Sequence, residues 1–207
     1  MSEETNKPTK KYYDYISVGN RTKQVVYFVE QHDKTNLFEL FFKDNSNKQI
    51  VVIAKSKRNA DELGAFLKTK EMNATVIHGN HRVSQIEEAG QAFNAKDINI
   101  LITTDKILET LELHNIQIIL NYDLPLDAQS YFKTLRLVDE IGESISFVNS
   151  EDEKMLESIE FIMKYEIPRE EIEAFKHTPL PSLAPKKEKK KKPRHKKSKT
   201  KKEKTSD

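Results

Sequence analysis

Short runs of apolar, mostly β-branched residues are the feature that most restricts how this chain can fold. Residues 49–54 and 98–103 are apolar at most positions, where a strand with one wet face would alternate apolar with polar residues. Residues 116–120 follow the same pattern. Such runs are typical of strands buried on both faces, and these occur almost only in parallel sheets that are covered by helices on each side.

Segments with helical spacing separate these strands. In residues 34–43 the apolar side chains recur at the spacing of one helical face. Asn59, with Glu62 three positions later, predicts the N-terminal cap of a second helix, and residues 127–137 predict another. Because strands alternate with helices, we expect right-handed crossovers and an α/β domain over residues 23–168, with a parallel sheet and helices on both faces.

The ends of the chain differ in composition from this domain. Residues 1–22 lack an apolar period and are interpreted as a leader. Residues 169–207 are rich in proline and lysine, and we expect them to form a disordered basic tail. No apolar run is long enough to span a membrane, no apolar segment indicates a signal peptide, and the chain has no cysteine, so we expect a cytoplasmic protein.

The charge of the chain is divided between the domain and its tail. Residues 185–207 hold 13 basic and 3 acidic residues, a net charge of +10, whereas residues 1–184 hold 22 basic and 30 acidic residues, a net charge of −8. A basic block of this kind stays solvated and attracts polyanions, so we expect it to bind RNA. The candidate RNA-binding residues of the tail are Lys186, Lys187, Lys189, Lys190, Lys191, Lys192, Arg194, Lys196 and Lys197.

Loops that follow the predicted strands are further candidate sites, because parallel α/β sheets bind ligands at the carboxyl ends of their strands. They supply six more candidate RNA-binding residues, namely Lys55, Lys57, His78, Gly79, Thr104 and Asp105. Structural roles stay open for these residues, since glycine suits a tight turn and Thr or Asp can cap a helix. The sequence has no glycine-rich phosphate loop, and its two nearest histidines lack a third ligand, so we predict no metal.

The order of these motifs resembles the C-terminal lobe of DEAD-box RNA helicases over roughly residues 23–175. Its most specific strings are Val-Ile-His-Gly-Asn at 76–80, Ile-Leu-Ile-Thr-Thr-Asp at 100–105 and Leu-Asn-Tyr-Asp-Leu-Pro at 120–125. Residues 155–168 are similar to the end of that lobe in bacterial RhlE-type helicases, a group that also ends in a basic tail. The resemblance implies a RecA-like domain of the P-loop NTPase type, whose strand-end loops contact RNA.

The chain departs from this family at positions that handle RNA and ATP. In the family, a glutamine and two arginines follow the His-Gly-Asn string, whereas this chain has Val83, Ile86 and Glu88. The family's strand ending in Thr-Asp continues into Ala-Ala-Arg-Gly-[Leu/Ile]-Asp. Here Glu109 replaces the arginine and Glu112 replaces the last aspartate.

A second departure falls on the arginine-rich segment of the family, His-Arg-x-Gly-Arg-x-Gly-Arg. Residues 133–139 read Lys-Thr-Leu-Arg-Leu-Val-Asp, so that Arg136 is the only arginine left there and falls on a glycine position. An arginine finger can contribute about 10³–10⁵ in the rate of phosphoryl transfer. We therefore assign no catalytic residue and interpret Glu112 and Arg136 as vestigial nucleotide-binding positions.

These departures favour a non-catalytic protein that associates with RNA or ribonucleoprotein, mainly through its basic tail, and that needs no cofactor. Two alternatives remain open. The chain is either a helicase component whose ATP site is completed in trans by a separate first lobe, or an adaptor whose acidic domain binds another protein. No membrane partner is expected.

Overall fold

A six-stranded sheet organises the computed structural model, which describes residues 15–138 and 142–179. The strands are β1 (Lys23–Phe28), β2 (Ile50–Ile53), β3 (Ala74–Val76), β4 (Ile100–Thr103), β5 (Ile118–Asn121) and β6 (Glu143–Val148). Their spatial order is β1-β6-β5-β2-β4-β3, and every neighbouring pair is parallel. The predicted parallel α/β fold is therefore confirmed, and Asp105 lies in the loop at the carboxyl end of β4, as expected.

Helices cover the sheet on both faces. They are α1 (Tyr15–Arg21), α2 (Lys34–Asn45), α3 (Lys57–Thr69), α4 (Val83–Asn94), α5 (Asp105–Leu108), α6 (Ala128–Leu135) and α7 (Glu153–Met163), with a 3-10 turn at Gln31–Asp33. The longest of these, α3, has 13 residues. Within residues 15–138 and 142–179, no helix is long and apolar enough to cross a membrane.

The burial of β2 shows why its sequence is a continuous apolar run. Ile50 and Val52 pack on one face of the sheet, in a cluster with side chains of α2 and α3. Val51 and Ile53 pack on the opposite face, in a cluster that includes side chains of α4 and α5. All four side chains are at most 1% exposed. Apolar side chains on both faces therefore stabilise a central strand, where alternation would bury polar groups.

The start of α3 differs from the sequence-based prediction. The helix begins at Lys57, and the hydroxyl of Ser56 accepts a hydrogen bond of 3.1 Å from the backbone N–H of Asn59. The prediction that Asn59 caps this helix was wrong, because Ser56 leaves β2 in an extended conformation and occupies the cap position first. The amide of Asn59 instead donates to Asp123 at 2.8 Å.

The folded unit extends beyond the predicted limits of residues 23–168. Helix α1, which was assigned to the leader, contacts α6 and α7. At the other end, the backbone of residues 168–170 pairs with β1 through Val26, and the segment stays packed against the domain up to residue 179. Composition did not indicate these contacts, because only a few apolar side chains in each segment make them.

Candidate nucleic-acid interface

A cleft of about 600 Å³ lies at the carboxyl ends of β2 and β4, which are neighbours in the sheet. Lys55 and Lys57, at the entry to α3, form one wall together with Thr104, which follows β4. Both lysines are exposed, and Thr104 is half-buried. The predicted RNA-binding residues Lys55 and Lys57 therefore lie close to Thr104, which is about 50 positions away in sequence. Strand order brings the two loops side by side, because β2 and β4 are neighbours in the sheet.

The loop after β3 joins the same edge of the sheet. Lys57 Nζ donates a 2.6 Å hydrogen bond to Oδ1 of Asn80. A Cβ atom at Gly79 would lie 3.6 Å from both Cε and Nζ of Lys57, an ordinary van der Waals distance, so Gly79 lies beside Lys57 but the space there does not require a glycine.

His78 has a different placement from the one the sequence predicted. Its side chain turns inward, is buried, and has Nε2 at 2.9 Å from Oδ1 of Asp61 on α3. Its backbone N–H donates to Nδ1 of His81 at 3.1 Å. These contacts hold the loop against α3, which is a structural role for His78, and its contact with RNA stays a prediction.

Acidic side chains also line the cleft. Asp105 is the first residue of α5, and its Oδ1 is buried without a hydrogen-bond partner among the described residues. Burial raises the pKa of Asp105, and the charges of Asp127 and Glu109 raise it further, against the opposing effect of Lys133. The lining of the cleft thus carries both signs of charge, with Asp105, Glu109 and Asp127 beside the exposed Lys106 and with Lys55 and Lys57 on the wall formed at the start of α3.

An ion pair joins the two segments in which the family has its arginines. Glu109, which replaces the arginine after Thr-Asp, accepts a 2.9 Å hydrogen bond from Lys133 Nζ at the family's histidine position. Thr134, at the next arginine position, is buried, and its hydroxyl donates to the carbonyl of Tyr131 at 2.8 Å. The side chains at these positions thus bond to one another or to their own helix.

The two vestigial nucleotide positions lie after α5 and after α6. Glu112 is exposed, and its carbonyl accepts a hydrogen bond of 2.8 Å from the amide of Asn94 on α4. Arg136 directly follows α6 and is half-buried. Between α5 and α6 lies a separate pocket of about 240 Å³, whose apolar walls come from Leu108, Leu111 and Leu137.

A network of buried charged side chains, which the sequence analysis did not predict, lies in the interior next to the cleft wall. Lys34, the first residue of α2, is fully buried, and its Nζ lies 3.1 Å from Asp123 and 3.5 Å from Asp152. It also donates to the carbonyl of Tyr122 at 2.7 Å. The signal available in the sequence was weak: Asp123 and Asp152 lie in the loops that follow β5 and β6, two strands that are neighbours in the sheet.

Asp123 connects this network to the cleft. Its Oδ2 accepts hydrogen bonds from the backbone N–H of Lys55 at 3.1 Å and from Asn59 at 2.8 Å. Burial by itself would raise the pKa of Asp123, but the charge of Lys34 and the hydrogen bonds from Asn59 and Lys55 hold it below the usual value. The backbone of the cleft wall is therefore attached to a charged group in the interior.

Residues 180–207, which include the lysine-rich part of the predicted tail, lie outside the described residues. RNA binding by Lys186, Lys187, Lys189, Lys190, Lys191, Lys192, Arg194, Lys196 and Lys197 therefore stays a sequence-based prediction.

Comparisons with known proteins identify the domain. The family model "Helicase conserved C-terminal domain" matches residues 32–135, half of the chain. The ATP-dependent rRNA helicases RRP3 of Candida glabrata and Saccharomyces cerevisiae are each 30% identical over 130 residues, which is 61% of this chain and 26% of the relative. The chain thus spans about a quarter of the length of these relatives.

Solved structures agree with this assignment. A DEAD-box protein from Methanococcus jannaschii is 27% identical with a TM-score of 0.69, over 74% of this chain and 43% of that one. The C-terminal domain of the DEAD-box protein Dbp5 has a TM-score of 0.68 at 20% identity, over 73% of this chain and 91% of that one. At that identity the second likeness shows the fold alone.

Proposed function

Since the chain belongs to the helicase conserved C-terminal domain family and has the fold of a DEAD-box C-terminal lobe, we propose that it is an RNA-associated lobe that does not hydrolyse ATP by itself. The activity, substrates and partners of the full-length relatives are part of this proposal, because the chain covers only 26% of their length. A reducing, cytoplasmic setting is proposed with it.

The Glu109–Lys133 ion pair is the observation that supports the first part of the proposal, that the chain does not hydrolyse ATP by itself. Phosphoryl transfer places negative charge on the γ-phosphate oxygens, and arginines that reach this charge supply much of the rate. Glu109 carries a negative charge at a position where the family has an arginine. Its partner in the ion pair is Lys133, whose Nζ lies 2.9 Å from the carboxylate of Glu109. Together with Asp105 and Asp127, these side chains do not suit a nucleoside triphosphate.

Basic side chains at the carboxyl edge of the sheet and in the tail support the second part of the proposal, the association with RNA. Lys55 and Lys57 present exposed charges beside Thr104, which suits the sugar–phosphate backbone of a single strand. Residues 1–184 nevertheless carry a net charge of −8, so the long-range field of the domain opposes RNA. We therefore assign most of the affinity to the tail, with little sequence preference, because lysine side chains contact phosphates and do not read bases.

RNA binding by the full-length protein and by residues 1–184 tests this assignment. Both are titrated against a single-stranded RNA of mixed sequence over a series of salt concentrations. Because each neutralised phosphate adds about 0.7 to the slope of log affinity against log salt for a single strand, we expect the truncation to bind much more weakly and with a flatter slope.

Substitutions in the lobe supply the comparison. We expect Thr104→Ala and Lys57→Ala to weaken binding much less than the truncation does. If the truncated protein keeps its affinity and Thr104→Ala removes it, the lobe holds RNA as an active helicase would, and the assignment to the tail is wrong.

Completion of an ATP site in trans remains the second candidate, and one observation favours it. Leu126 is 75% exposed at the rim of the cleft, and Leu137 is 38% exposed at the neighbouring pocket. Exposed apolar side chains on this side of the sheet suit a contact with another protein domain.

A further inference from the structure

The pocket of about 240 Å³ between α5 and α6 has a chemistry different from that of the cleft beside it. Leu108, Leu111 and Leu137 form its apolar walls. Asp105 and Ser130 line both the pocket and the larger cleft, so the two spaces adjoin. Pockets for drug-sized ligands measure roughly 300–1,000 Å³. The smaller volume here suits a single side chain better than a nucleotide.

The carboxylate of Asp105 is the charged group of this pocket that lacks a partner. Its Oδ1 is buried and accepts no hydrogen bond in the part of the chain that the structure describes. Burial raises the pKa of Asp105, and the charges of Asp127 and Glu109 raise it further. Lys133 lowers this pKa, but it forms its ion pair with Glu109, at 2.9 Å. Because rotation about χ2 of an aspartate is broad, either oxygen can turn toward a ligand.

Two hydroxyl groups of the pocket have already donated their protons. The Ser130 hydroxyl donates to Oδ2 of Asp127 at 3.0 Å, and the Thr134 hydroxyl donates to the carbonyl of Tyr131 at 2.8 Å. A hydroxyl has one proton and two lone pairs, so both oxygens can still accept a hydrogen bond. The pocket therefore offers acceptors and a negative charge, and its ligand must supply the donors.

A lysine side chain has the chemistry that matches this lining. Its aliphatic stem can lie along the three leucines, and its ammonium group carries a positive charge and three donors. The carboxylate of Asp105 and the hydroxyls of Ser130 and Thr134 supply three acceptors. Hydrogen bonds between an ammonium group and a carboxylate are roughly twice as strong as those between neutral groups. A phosphate group has neither the apolar stem nor the donors.

Exposed apolar side chains next to the pocket indicate the source of the lysine. Leu126 is 75% exposed at the rim of the adjoining cleft, and Leu137 is 38% exposed in the pocket itself. Residues that flank a lysine in a protein can cover these side chains, whereas a free amine leaves them in water. The negative charges of Asp105, Glu109 and Asp127 also complement a basic protein surface.

We propose that this pocket is a docking site for a partner protein, which inserts a lysine side chain between α5 and α6 and binds the carboxylate of Asp105 through the ammonium group. The inference goes beyond the proposed function, because it depends neither on RNA binding nor on the absence of ATP hydrolysis. It assigns Asp105 the role of the acceptor that anchors the partner.

Blocked amino acids test the chemistry of the pocket in the full-length protein. N-acetyl-lysine methylamide is titrated while the NMR shifts of the backbone amides of residues 105–111 and 128–137 are followed. N-acetyl-norleucine methylamide is the matched control, since it has the stem without the ammonium group. We expect saturable shifts with blocked lysine and at least about tenfold weaker binding of blocked norleucine. Equal binding of the two, or no shifts around the pocket, overturns the proposal.

Substitution of the carboxylate tests its role as the acceptor. Asp105→Asn keeps the size of the side chain and removes its charge, so it should weaken the binding of blocked lysine about tenfold or more. Asp44→Asn, at an exposed position of α2, is the matched control and should bind blocked lysine as the parent does. If Asp105→Asn also binds it as the parent does, the proposal is wrong.

A titration of the unsubstituted protein makes the test independent of how Asp105→Asn folds. An ammonium ion favours the charged form of a nearby carboxylate, so bound lysine should lower the pKa of Asp105, as read from the carbon shift of its carboxyl group. The affinity for blocked lysine should accordingly fall as the pH drops through that pKa. Blocked norleucine should leave the pKa unchanged. If saturating blocked lysine does not change it either, the carboxylate does not bind the ammonium group.

A short peptide tests whether the lysine belongs to a protein. Acetyl-Leu-Lys-Leu-amide adds apolar neighbours for Leu126 and Leu137, and we expect it to bind at least about threefold more tightly than blocked lysine. Leu126→Ala, at an exposed position, should reduce this gain and leave the binding of blocked lysine unchanged. A peptide that binds no more tightly than blocked lysine overturns the assignment to a partner protein. So does the diamine putrescine if it binds more tightly than the peptide, because the site then takes a free amine.

Discussion

At the scale of single residues, the most consequential side chain is the buried Lys34. Its ammonium group has no exposure to solvent and lies between the carboxylates of Asp123 and Asp152. Charges in the interior are tolerated only when they are paired and hydrogen-bonded, because each loses its hydration. Asp123 is in turn bonded to the backbone of Lys55, so this one lysine connects the stability of the fold to the geometry of the cleft.

Replacing Lys34 by methionine should destabilise the protein strongly. The change leaves two buried carboxylates without their cation, and breaking a buried pair in this way costs about 3–5 kcal/mol. The free energy of unfolding in urea measures the loss. Lys43→Met on the same helix is the control, since Lys43 is 61% exposed and its 3.7 Å pair with Glu39 is worth at most about 0.5 kcal/mol. Losses of equal size would show that Lys34 is not specially stabilising.

The pH dependence of stability should report on Asp123. Its pKa is lower in the folded protein than in the unfolded chain, where it is about 3.9. A lowered pKa stabilises the fold at pH values above the unfolded pKa, and this contribution is lost as pH falls through the folded pKa. Asp123→Asn should therefore be less stable than the parent at neutral pH, and the gap should narrow below about pH 4.

Urea unfolding at several pH values between neutrality and acid measures that gap. Asp44→Asn, at an exposed position of α2, is the control and should follow the parent at every pH. A gap between Asp123→Asn and the parent that stays constant down to the lowest pH would contradict the assigned role of the carboxylate.

At the scale of elements, the packing of α3 on the sheet depends on a close approach at Gly64. A Cβ atom at this position would overlap Cγ2 of Val76 on β3. Glycine inside a helix loses about 1 kcal/mol of propensity relative to alanine. The glycine in the middle of α3 thus shows that close packing of the helix against β3 contributes more to stability at this position than helix propensity does.

Gly64→Ala is therefore expected to destabilise the protein by about 1 kcal/mol net, because overpacking costs about 1–3 kcal/mol and exceeds the gain in propensity. Thermal and urea unfolding measure it. Gly90→Ala on α4 is the matched control, since its Cβ would lie 3.2 Å from the terminal methyl of Leu111, which can move aside. Adding Val76→Ala to Gly64→Ala should recover part of the lost stability. If the changes in the free energy of unfolding of the two single variants simply add in the double variant, the contact between residues 64 and 76 is not the cause of the loss.

At the scale of the whole molecule, two regions of opposite charge share one chain. The residues up to 184 carry a net charge of −8 and the last 23 residues a net charge of +10. The folded lobe has the architecture of a helicase C-terminal domain, but Glu109, paired with Lys133, stands at a position where the family that it resembles has an arginine. The proposed role, association with RNA without ATP hydrolysis, rests on this distribution of charge and on the Glu109–Lys133 pair.

The full-length protein is accordingly expected to release no phosphate from ATP above a buffer blank, with or without poly-U RNA. Arg136→Ala should change nothing, because this arginine falls on a glycine position of the family's arginine-rich segment. A basal rate that Arg136→Ala abolishes would show that Arg136 acts as the missing arginine. A rate that appears only when a separate first lobe is added would support completion in trans.

Local patterns in the sequence were sufficient for the sheet. The apolar runs that contain Ile50–Ile53 and Ile100–Thr103 indicated strands buried on both faces, and the order of strands and helices placed Thr104 and Asp105 at a carboxyl edge. These inferences succeed because burial on a regular element has a period of two or 3.6 residues, which neighbouring side chains reveal.

Tertiary structure decided the contacts that join distant loops. Lys34 meets Asp123 across 89 positions, and Asp33 meets Thr178 across 145. Neither pair has a local signature, because their proximity depends on the strand order β1-β6-β5-β2-β4-β3, which differs from the order along the chain. A periodic pattern in the sequence indicates which face of a helix or strand is buried. Which charged and polar groups lie together in the interior is determined only by the assembled sheet. These groups must be paired with one another, because water no longer reaches them.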